Sequence, residues 1–257
     1  MATLRLQVVP VLQDNYSYIL DDGKGAFVVD PPESAPLVSV LRSGGLVVRG
    51  ILLTHRHGDH VAGVVSLLRE ADVVDGVVVY GPGEDGEIEG VTARVVGGDS
   101  IDVLGVEAGV VAVPGHTRGH IAYDLAAESL LFCGDCLFSL GCGRVFEGTF
   151  EHMWQSIVRL RALGDDRRLC CGHEYTLVNG AFALRHDGGN GALRGWVQEA
   201  ETLRGRGLPT VPVVMGDERL RNPFLRADDV ALQRVLGMEG ASAVEVFTFL
   251  RQARDRW

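Results

Sequence analysis

The chain alternates short apolar runs with polar segments that contain glycine, proline and aspartate. In the first two thirds the apolar runs are rich in β-branched residues, which is typical of strands. These predicted strands are LRLQVVPVL, GAFVVD, GLVVRGILLT, DGVVVYG, ARVVGG, VLGVEAGVVAVPG, LLFCGD and RRLCCGH. Helical periodicity or capping residues mark Ser34–Leu41, Val61–Glu70 and Glu151–Leu163 between them. The alternation predicts an α/β domain with helices covering its sheets.

The pattern changes near Tyr175. Longer stretches of mixed polar and apolar residues predict helices at Asn190–Gly205, Ala227–Val235 and Ala241–Trp257. The segment RGRGLPTVPVVMGDERLRNPF, rich in glycine and proline, is predicted to be a loop between the first two of these helices. We therefore predict two domains, residues 1–175 and residues 176–257, of which the second is helical.

Composition limits the class of protein and of partner. The 257 residues are 46% hydrophobic and 23% charged, as in an ordinary globular protein. A net charge of −10 disfavours nucleic acid and anionic membranes as partners. No apolar run approaches the roughly 18 residues of a membrane span, and the N-terminus lacks secretory signal features. We expect a soluble, cytoplasmic protein, monomeric, that acts on a small molecule.

The five cysteines are odd in number, which does not suit a secreted disulfide framework. Cys133 and Cys136 form a C-x-x-C pair, which in other settings indicates zinc or redox chemistry. Here the pair lies at the end of an apolar run and has no second C-x-x-C. We interpret this pair, and likewise Cys170 and Cys171, as reduced packing thiols.

The richest chemistry lies in THRHGDH, residues 54–60, directly after a predicted strand. His55 and His57 should face one side, and the turn at Gly58 should bring Asp59 and His60 towards them. Imidazole and carboxylate together suit zinc, iron or manganese. The alternative is a solvated polar loop, but four potential ligands seldom cluster for packing alone. This segment therefore predicts a metal site.

Three further potential ligands each follow an apolar run: His116, Asp135 and His173. Strand ends are where α/β sheets place their sites. Seven ligands exceed one tetrahedral metal, so two metals are expected, with the carboxylate of Asp135 bridging them. One metal is assigned to His55, His57 and His116, and the other to Asp59, His60 and His173. Two metals generate hydroxide at neutral pH and polarise a carbonyl, which points to hydrolysis.

The motifs THRHGDHVAG, PGHTRGH, GDCLFSLGCGRVFEGT, GHEYT and NPFLR occur in this order along the chain. Together they resemble the metallo-β-lactamase superfamily and, within it, the glyoxalase II (hydroxyacylglutathione hydrolase) family. THRHGDH alone indicates only the superfamily, whereas GCGRVFEGT, GHEYT and NPFLR are more specific. The resemblance implies a four-layered αββα fold followed by a helical substrate-binding domain.

The resemblance also implies the reaction, hydrolysis of S-D-lactoylglutathione to glutathione and D-lactate, in methylglyoxal detoxification. Zinc is the expected metal, with iron and manganese as alternatives. Asp59 and Asp135 are the expected catalytic carboxylates, with Asp59 orienting the nucleophile. The implied substrate-binding residues are Arg144, Phe146, His173, Tyr175, Arg251 and Arg254. Phe146 stands where some members have tyrosine, which removes one hydroxyl contact.

Other interpretations remain open. A glutathione persulfide dioxygenase resembles this family but uses one iron, and the seven ligands and the paired terminal arginines argue against it. A β-lactamase or a lactonase would have no evident use for the helical tail with its basic residues. The intact ligand set argues against a non-catalytic member that binds metal or a partner. His120 either orients a ligand or makes a structural hydrogen bond. Asp30 either hydrogen-bonds a ligand histidine or serves as a turn residue. The segment around Asn15 resembles a family turn near the site.

Overall fold

The computed structural model describes residues 4–257, which form two compact units. The first unit contains the chain up to Ala112 together with Thr117–Gly134. The second contains Val113–His116 and Asp135–Trp257. Within residues 4–257, no helix has the length and apolar character needed to cross a membrane.

The first unit begins with a six-stranded sheet in the order β1-β2-β3-β4-β5-β6. Strand β2 is antiparallel to both β1 and β3, and β3 to β6 run parallel to one another. Their bounds are β1 Arg5–Val11, β2 Asn15–Asp21, β3 Gly25–Val29, β4 Val47–Leu52, β5 Val73–Pro82 and β6 Ala93–Val95. Strands β2 and β3 are buried throughout, as expected for strands rich in apolar residues that are covered on both faces.

Three helices belong to this unit: α1 Ala35–Gly44, α2 Gly58–Val61 and α3 Val64–Glu70. Leu37, Leu41 and Leu67 pack against apolar residues of the sheet, such as Val28 and Ile51, in one core cluster. The predicted helix Ser34–Leu41 is confirmed. The predicted helix Val61–Glu70 is confirmed from Val64 onwards as α3, whereas Val61 is the last residue of the separate helix α2.

Four consecutive antiparallel strands complete the first unit. They are β7 Ser100–Val103, β8 Val106–Ala112, β9 Ile121–Leu125 and β10 Leu130–Gly134. The segment VLGVEAGVVAVPG was predicted as a single strand, but Leu104 and Gly105 adopt positive φ and form a turn between β7 and β8. Strands β2 and β9 were missed by the pattern, because the runs NYSYILD and IAYDL contain polar residues.

The second unit contains two short antiparallel strand pairs and six helices. The strands are β11 Leu137–Phe138, β12 Gly141–Cys142, β13 Arg168–Cys171 and β14 Val213–Val214. The helices are α4 Phe150–Arg161, α5 Thr176–Asp187, α6 Gly191–Gly205, α7 Met215–Arg221, α8 Val230–Leu236 and α9 Ala243–Asp255.

Side-chain caps explain where several of these helices begin. Thr149, Asn190 and Asp229 each accept a hydrogen bond from a backbone N–H of the first turn, and Ser242 forms a capping box with Glu245. The predicted helices at residues 190–205, 227–235 and 241–257 are confirmed with small shifts. The predicted loop at residues 204–224 was wrong in part, since it contains β14 and α7.

Candidate metal centre

Parallel strands β3 and β4 are neighbours, so the residues that follow them lie at the same edge of the sheet. Asp30 follows β3, and the loop with His55 and His57 follows β4. His55 and His60 are 0% and 1% exposed, so neither is part of a solvated polar loop. The Nε2 atom of His55 lies 3.1 Å from Nδ1 of His57. The predicted cluster within THRHGDH therefore forms in this unit.

Asp30 determines how two of these histidines present their nitrogens. Its Oδ1 accepts the backbone N–H of Thr54 at 2.8 Å, and its Oδ2 accepts the Thr54 hydroxyl at 2.7 Å. Nδ1 of His60 donates to the same Oδ2 at 3.0 Å. Asp30 therefore hydrogen-bonds a predicted ligand, which decides between the two roles expected for it. Potential ligand atoms of Asp30, His55 and His60 all lie within 4.8 Å of one another.

The hydrogen bonds also fix the tautomers of these rings. The Thr54 hydroxyl gives its proton to Asp30, so its oxygen accepts from Nδ1 of His55, 3.1 Å away. Nδ1 of His60 likewise carries the proton that it donates to Asp30. In both histidines Nε2 then holds the lone pair, as metal coordination requires.

Asn15 holds the loop at Asp59. Its amide Nδ2 donates to the backbone oxygen of Asp59 at 3.0 Å and to Oδ2 of the Asp59 carboxylate at 3.1 Å. That carboxylate is 44% exposed and lies 3.8 Å from Nε2 of His60. The segment around Asn15, predicted to lie near the site, therefore orients Asp59.

His120 combines both roles that were considered for it. Its Nδ1 donates to the backbone oxygen of Ile121 at 3.0 Å. Its ring also stacks on that of His55, with centroids 4.6 Å apart and planes 12° from parallel. The stacking restricts the rotation of the His55 ring.

In the second unit, three of the predicted ligands come together. Oδ2 of Asp135 lies 3.4 Å from Nε2 of His116 and 3.3 Å from Nε2 of His173. All three residues are buried, with exposures of 5–6%. One carboxylate oxygen therefore faces two imidazoles, which is the placement expected of a shared ligand.

The tautomer of His116 shows that this arrangement suits a cation. Its Nδ1 donates to the backbone oxygen of Arg144 at 2.9 Å, so in a neutral ring Nε2 is an acceptor. An acceptor nitrogen that faces a carboxylate oxygen at 3.4 Å requires either a second proton on the ring or a cation shared by both atoms. Imidazole and carboxylate are donors that zinc, iron and manganese accept. The residues fit a divalent metal.

Gly143 permits the close approach of this segment. A Cβ atom at this position would lie 1.8 Å from the backbone oxygen of Asp135 and 3.3 Å from Nδ1 of His116. No side chain fits there. The glycine of GCGR is thus required by packing around two predicted ligands.

An open surface lies beside these ligands. The Phe146 ring is 58% exposed, and its centroid is 5.2 Å from that of His116. The guanidinium of Arg144 lies 5.4 Å from the Phe146 ring centroid, and its side chain is 60% exposed. The Tyr175 ring stacks on His173, with centroids 4.6 Å apart. Three of the predicted substrate-binding residues therefore lie close to the predicted ligands of this unit, and the fourth, His173, is itself one of those ligands.

The two terminal arginines differ in their surroundings. Arg251 is 5% exposed, donates from Nη1 to the Cys142 backbone oxygen at 2.8 Å and donates from Nη2 to Oδ1 of Asp255 at 3.0 Å. Arg254 is half-buried and approaches Oδ1 of Asn179 at 3.4 Å. Burial lowers the pKa of Arg254. Direct contact of Arg251 with substrate stays a prediction, because the structure gives its guanidinium internal partners.

All five cysteines are buried, as expected for packing thiols at Cys133, Cys136, Cys170 and Cys171. Burial raises the pKa of the Cys142 thiol to about 11, so this thiol stays protonated at neutral pH.

Sequence reasoning missed two residues that organise the first unit. Thr54 carries the hydrogen bonds between Asp30 and His55, although only its neighbours were considered as functional. Asp85 accepts three hydrogen bonds in the interior. A signal was present for Asp85, since GEDGEIEG is a turn-rich segment directly after a strand, but no ligand spacing distinguishes it from an ordinary turn aspartate.

Comparison with known proteins identifies the class. Residues 11–173 match the family model described as the metallo-beta-lactamase superfamily. Among solved structures, BLEG-1 B3 metallo-beta-lactamase covers 86% of this chain and 99% of its own at a TM-score of 0.63 and 22% identity. ETHE1 from Myxococcus xanthus covers 97% and 89% at a TM-score of 0.65 and 23% identity. The chain has the metallo-β-lactamase fold with a C-terminal helical part, which confirms the predicted fold class, and it binds divalent metal ions.

The remaining chain narrows the assignment. Residues 174–257 match the model described as hydroxyacylglutathione hydrolase C-terminus. The hydroxyacylglutathione hydrolase of Rhodospirillum rubrum is 44% identical over 260 residues, covering 100% of both chains. That of Rhodopseudomonas palustris strain HaA2 is 44% identical over 97% of this chain and 98% of its own. The chain belongs to the hydroxyacylglutathione hydrolase family, as the motifs predicted.

A third similar solved structure contains two iron ions. TTHA1623 in a di-iron-bound form is 26% identical and covers 66% of this chain and 91% of its own, at a TM-score of 0.53.

Proposed function

We propose that this chain hydrolyses the thioester of S-D-lactoylglutathione, and of other 2-hydroxyacyl-glutathiones, to glutathione and the free acid. The observation that carries the proposal is the carboxylate of Asp135, whose Oδ2 faces the Nε2 atoms of His116 and His173 within 3.4 Å. Membership of the hydroxyacylglutathione hydrolase family supports the same reaction. D-Lactate formation would place the enzyme at the last step of methylglyoxal detoxification.

The metal assignment keeps the sets expected from the sequence. His55, His57 and His116 would hold one divalent metal, and Asp59, His60 and His173 the other, with Asp135 shared. The di-iron-bound relative supports a two-metal centre. Zinc is the expected metal, with iron or manganese as alternatives of similar donor preference. Bound metal ions would lower the pKa of water to about 7 and would polarise a carbonyl oxygen.

Asp59 is the residue that we assign to the orientation of the attacking water. Its carboxylate is partly exposed and is fixed from one side by the amide of Asn15. Such a carboxylate can accept a proton from water while the water attacks the thioester carbon. The leaving thiolate has a conjugate acid with a pKa of about 8.5, so it departs without a dedicated general acid.

The substrate carries carboxylates, so a protein with a net charge of −10 needs local cations to hold it. Arg144 and Arg254 have the exposure to serve, and Tyr175 adds a hydroxyl beside His173. Phe146 offers an exposed apolar face next to Arg144. Cytoplasmic location and a monomeric state complete the proposal, and five cysteines outside any disulfide suit a reducing compartment.

The test uses full-length protein with measured metal content and follows the loss of S-D-lactoylglutathione thioester. Removing a charge-assisted contact in Arg254→Ala should raise KM about tenfold and leave kcat nearly unchanged. Arg256→Ala, an exposed arginine of the same terminus, is the matched control and should leave KM unchanged. Absence of turnover by metal-loaded protein would contradict the proposal. Oxygen uptake with glutathione persulfide would instead support the dioxygenase.

A further inference from the structure

Asp85 is a buried carboxylate in the turn that follows β5, and it is 3% exposed. Its Oδ2 accepts the backbone N–H of Arg56 at 2.8 Å and the hydroxyl of Thr117 at 3.0 Å. Its Oδ1 accepts the backbone N–H of Gly119 at 3.0 Å. One side chain thus binds two different loops within the first unit.

The first of these loops carries His55 and His57. Arg56 lies between them, so the bond to its N–H fixes the peptide plane that joins His55 to Arg56. The directions of both side chains depend on this backbone, because Cβ positions follow φ and ψ. The Asp85 bond therefore holds the pair in the geometry where Nε2 of His55 and Nδ1 of His57 are 3.1 Å apart.

The second loop, residues 117–119, leads directly to His120, whose ring stacks on His55. It is in tight contact with the Asp85 turn, since a Cβ on Gly119 would lie 2.3 Å from the carbonyl carbon of Glu84. Asp85 therefore restrains the ring of His55 in two ways. It fixes the backbone next to His55, and it holds the loop that leads to His120, whose ring stacks on His55.

We propose that Asp85 is a positioning residue of the metal centre, which holds the His55–His57 pair in its ligand geometry. The assignment rests on the proposed metal-binding role of these histidines. A carboxylate suits this position because three hydrogen-bond donors converge on it. An ionised carboxylate accepts from all three and has no proton of its own to donate. An asparagine would place an NH₂ group against at least one of these N–H or O–H groups.

The test compares the apparent zinc affinity of the full-length protein with that of Asp85→Asn, by competition with a chromophoric chelator. Loss of a group that orients ligands weakens metal affinity by about 10- to 100-fold, and Asp85→Asn is expected to fall in this range. Asp99→Asn is the matched control, because Asp99 also accepts a loop N–H, from Val96 at 2.8 Å, away from the histidines. Its zinc affinity should be unchanged.

A second pair of variants keeps the test decisive if Asp85→Asn does not fold. Thr117→Val removes one donor to Asp85, whereas Thr117→Ser keeps the hydroxyl. Thr117→Val should bind zinc more weakly than Thr117→Ser, at a similar melting temperature of the metal-free protein.

Equal zinc affinity in Asp85→Asn and the unaltered protein would overturn the assignment, as would an equal loss in Asp99→Asn. If Asp85→Asn does not fold, equal affinity in the two Thr117 variants would overturn it. A failure of the unaltered protein to bind zinc would instead contradict the proposed function, and the assignment with it.

Discussion

In the first unit, side-chain carboxylates orient the predicted metal ligands, whereas in the second unit a backbone carbonyl does so. Asp30 accepts hydrogen bonds from His60 and Thr54. His116 instead donates to the backbone oxygen of Arg144. Both arrangements leave Nε2 of the ring as the ligand atom. The same tautomer is thus obtained from different partners.

The difference determines what the predicted ligands of each unit depend on. A carboxylate acts through its own acceptor atoms, so the first unit is sensitive to substitution of single aspartates. A backbone carbonyl must be held in place by its surroundings. In the second unit that task falls to helix α9, because Arg251 donates to the Cys142 backbone oxygen and Asp255 lies 3.7 Å from Nε of Arg144.

The largest expected effect is that of Asp135→Ala, which removes the one ligand predicted to serve both metals. Activity should fall by well over 100-fold, more than on loss of a group that only orients a ligand. Metal content should drop below two per chain, as measured by elemental analysis. Retention of both metals with most of the activity would show that the second unit does not supply a shared ligand.

Asp30→Asn tests whether a side-chain carboxylate orients the predicted ligands of the first unit. The amide would present an NH₂ group to His60 or Thr54, which favours the wrong tautomer at the histidine. We expect zinc affinity to fall about 10- to 100-fold, measured by chelator competition. Asp21→Asn is the control, since Asp21 is equally buried but bonded to Arg5 and Gln7. A similar loss of affinity in both variants would contradict the orienting role of Asp30.

Arg251→Ala tests whether the backbone carbonyl that orients His116 in the second unit depends on support from α9. Its loss removes the buried donor to the Cys142 carbonyl and should reduce the free energy of unfolding by about 1–3 kcal/mol, measured by urea denaturation. Zinc affinity should fall as well, because the Arg144 carbonyl loses support. Arg251→Lys keeps the charge, so its free energy of unfolding and its zinc affinity should lie between those of Arg251→Ala and of the unaltered protein. An unchanged zinc affinity with a raised KM would favour direct substrate contact by Arg251.

The smallest effect is expected at the periphery, at the ion pair of Arg161 with Asp228. Hydrogen bonds from Arg161, at 2.8 and 2.5 Å, lower the pKa of Asp228. A lowered pKa in the folded state stabilises the fold above the ordinary value of about 3.8, and the contribution is lost as the pH falls through the folded value.

Asp228→Asn should therefore cost at most about 1 kcal/mol at pH 7, since the pair is partly exposed and screened by solvent. The difference from the unaltered protein should vanish in acid, as followed by urea denaturation across pH. Zinc affinity should not change. A pH-independent difference would contradict the ion-pair explanation.

Much of this organisation was predictable from the sequence, because strand-end histidines and apolar runs leave a clear pattern. The α/β class, the terminal helices, and the potential ligands of THRHGDH and of His116, Asp135 and His173 at strand ends follow from local periodicity and ligand spacing. The motifs GCGRVFEGT and GHEYT indicated the hydroxyacylglutathione hydrolase family within the metallo-β-lactamase superfamily. Helix α5 was missed because it follows GHEYT directly, and its Tyr175 cap position has no side-chain capping bond.

The supporting residues were harder to predict, because their partners are distant in sequence. Asp85 and Arg56 are 29 positions apart, and Arg251 and Cys142 are 109 positions apart. No periodicity links such pairs. The burial of Arg251 likewise depends on helix packing, which no local pattern of the sequence indicates.

The central claim, a two-metal thioester hydrolase, is tested most directly by titrating metal-free protein with zinc while measuring S-D-lactoylglutathione hydrolysis and bound metal together. The account predicts that activity reaches its plateau at two zinc ions per chain. A plateau at one ion per chain, with no gain from the second, would contradict the two-metal centre and the shared role of Asp135.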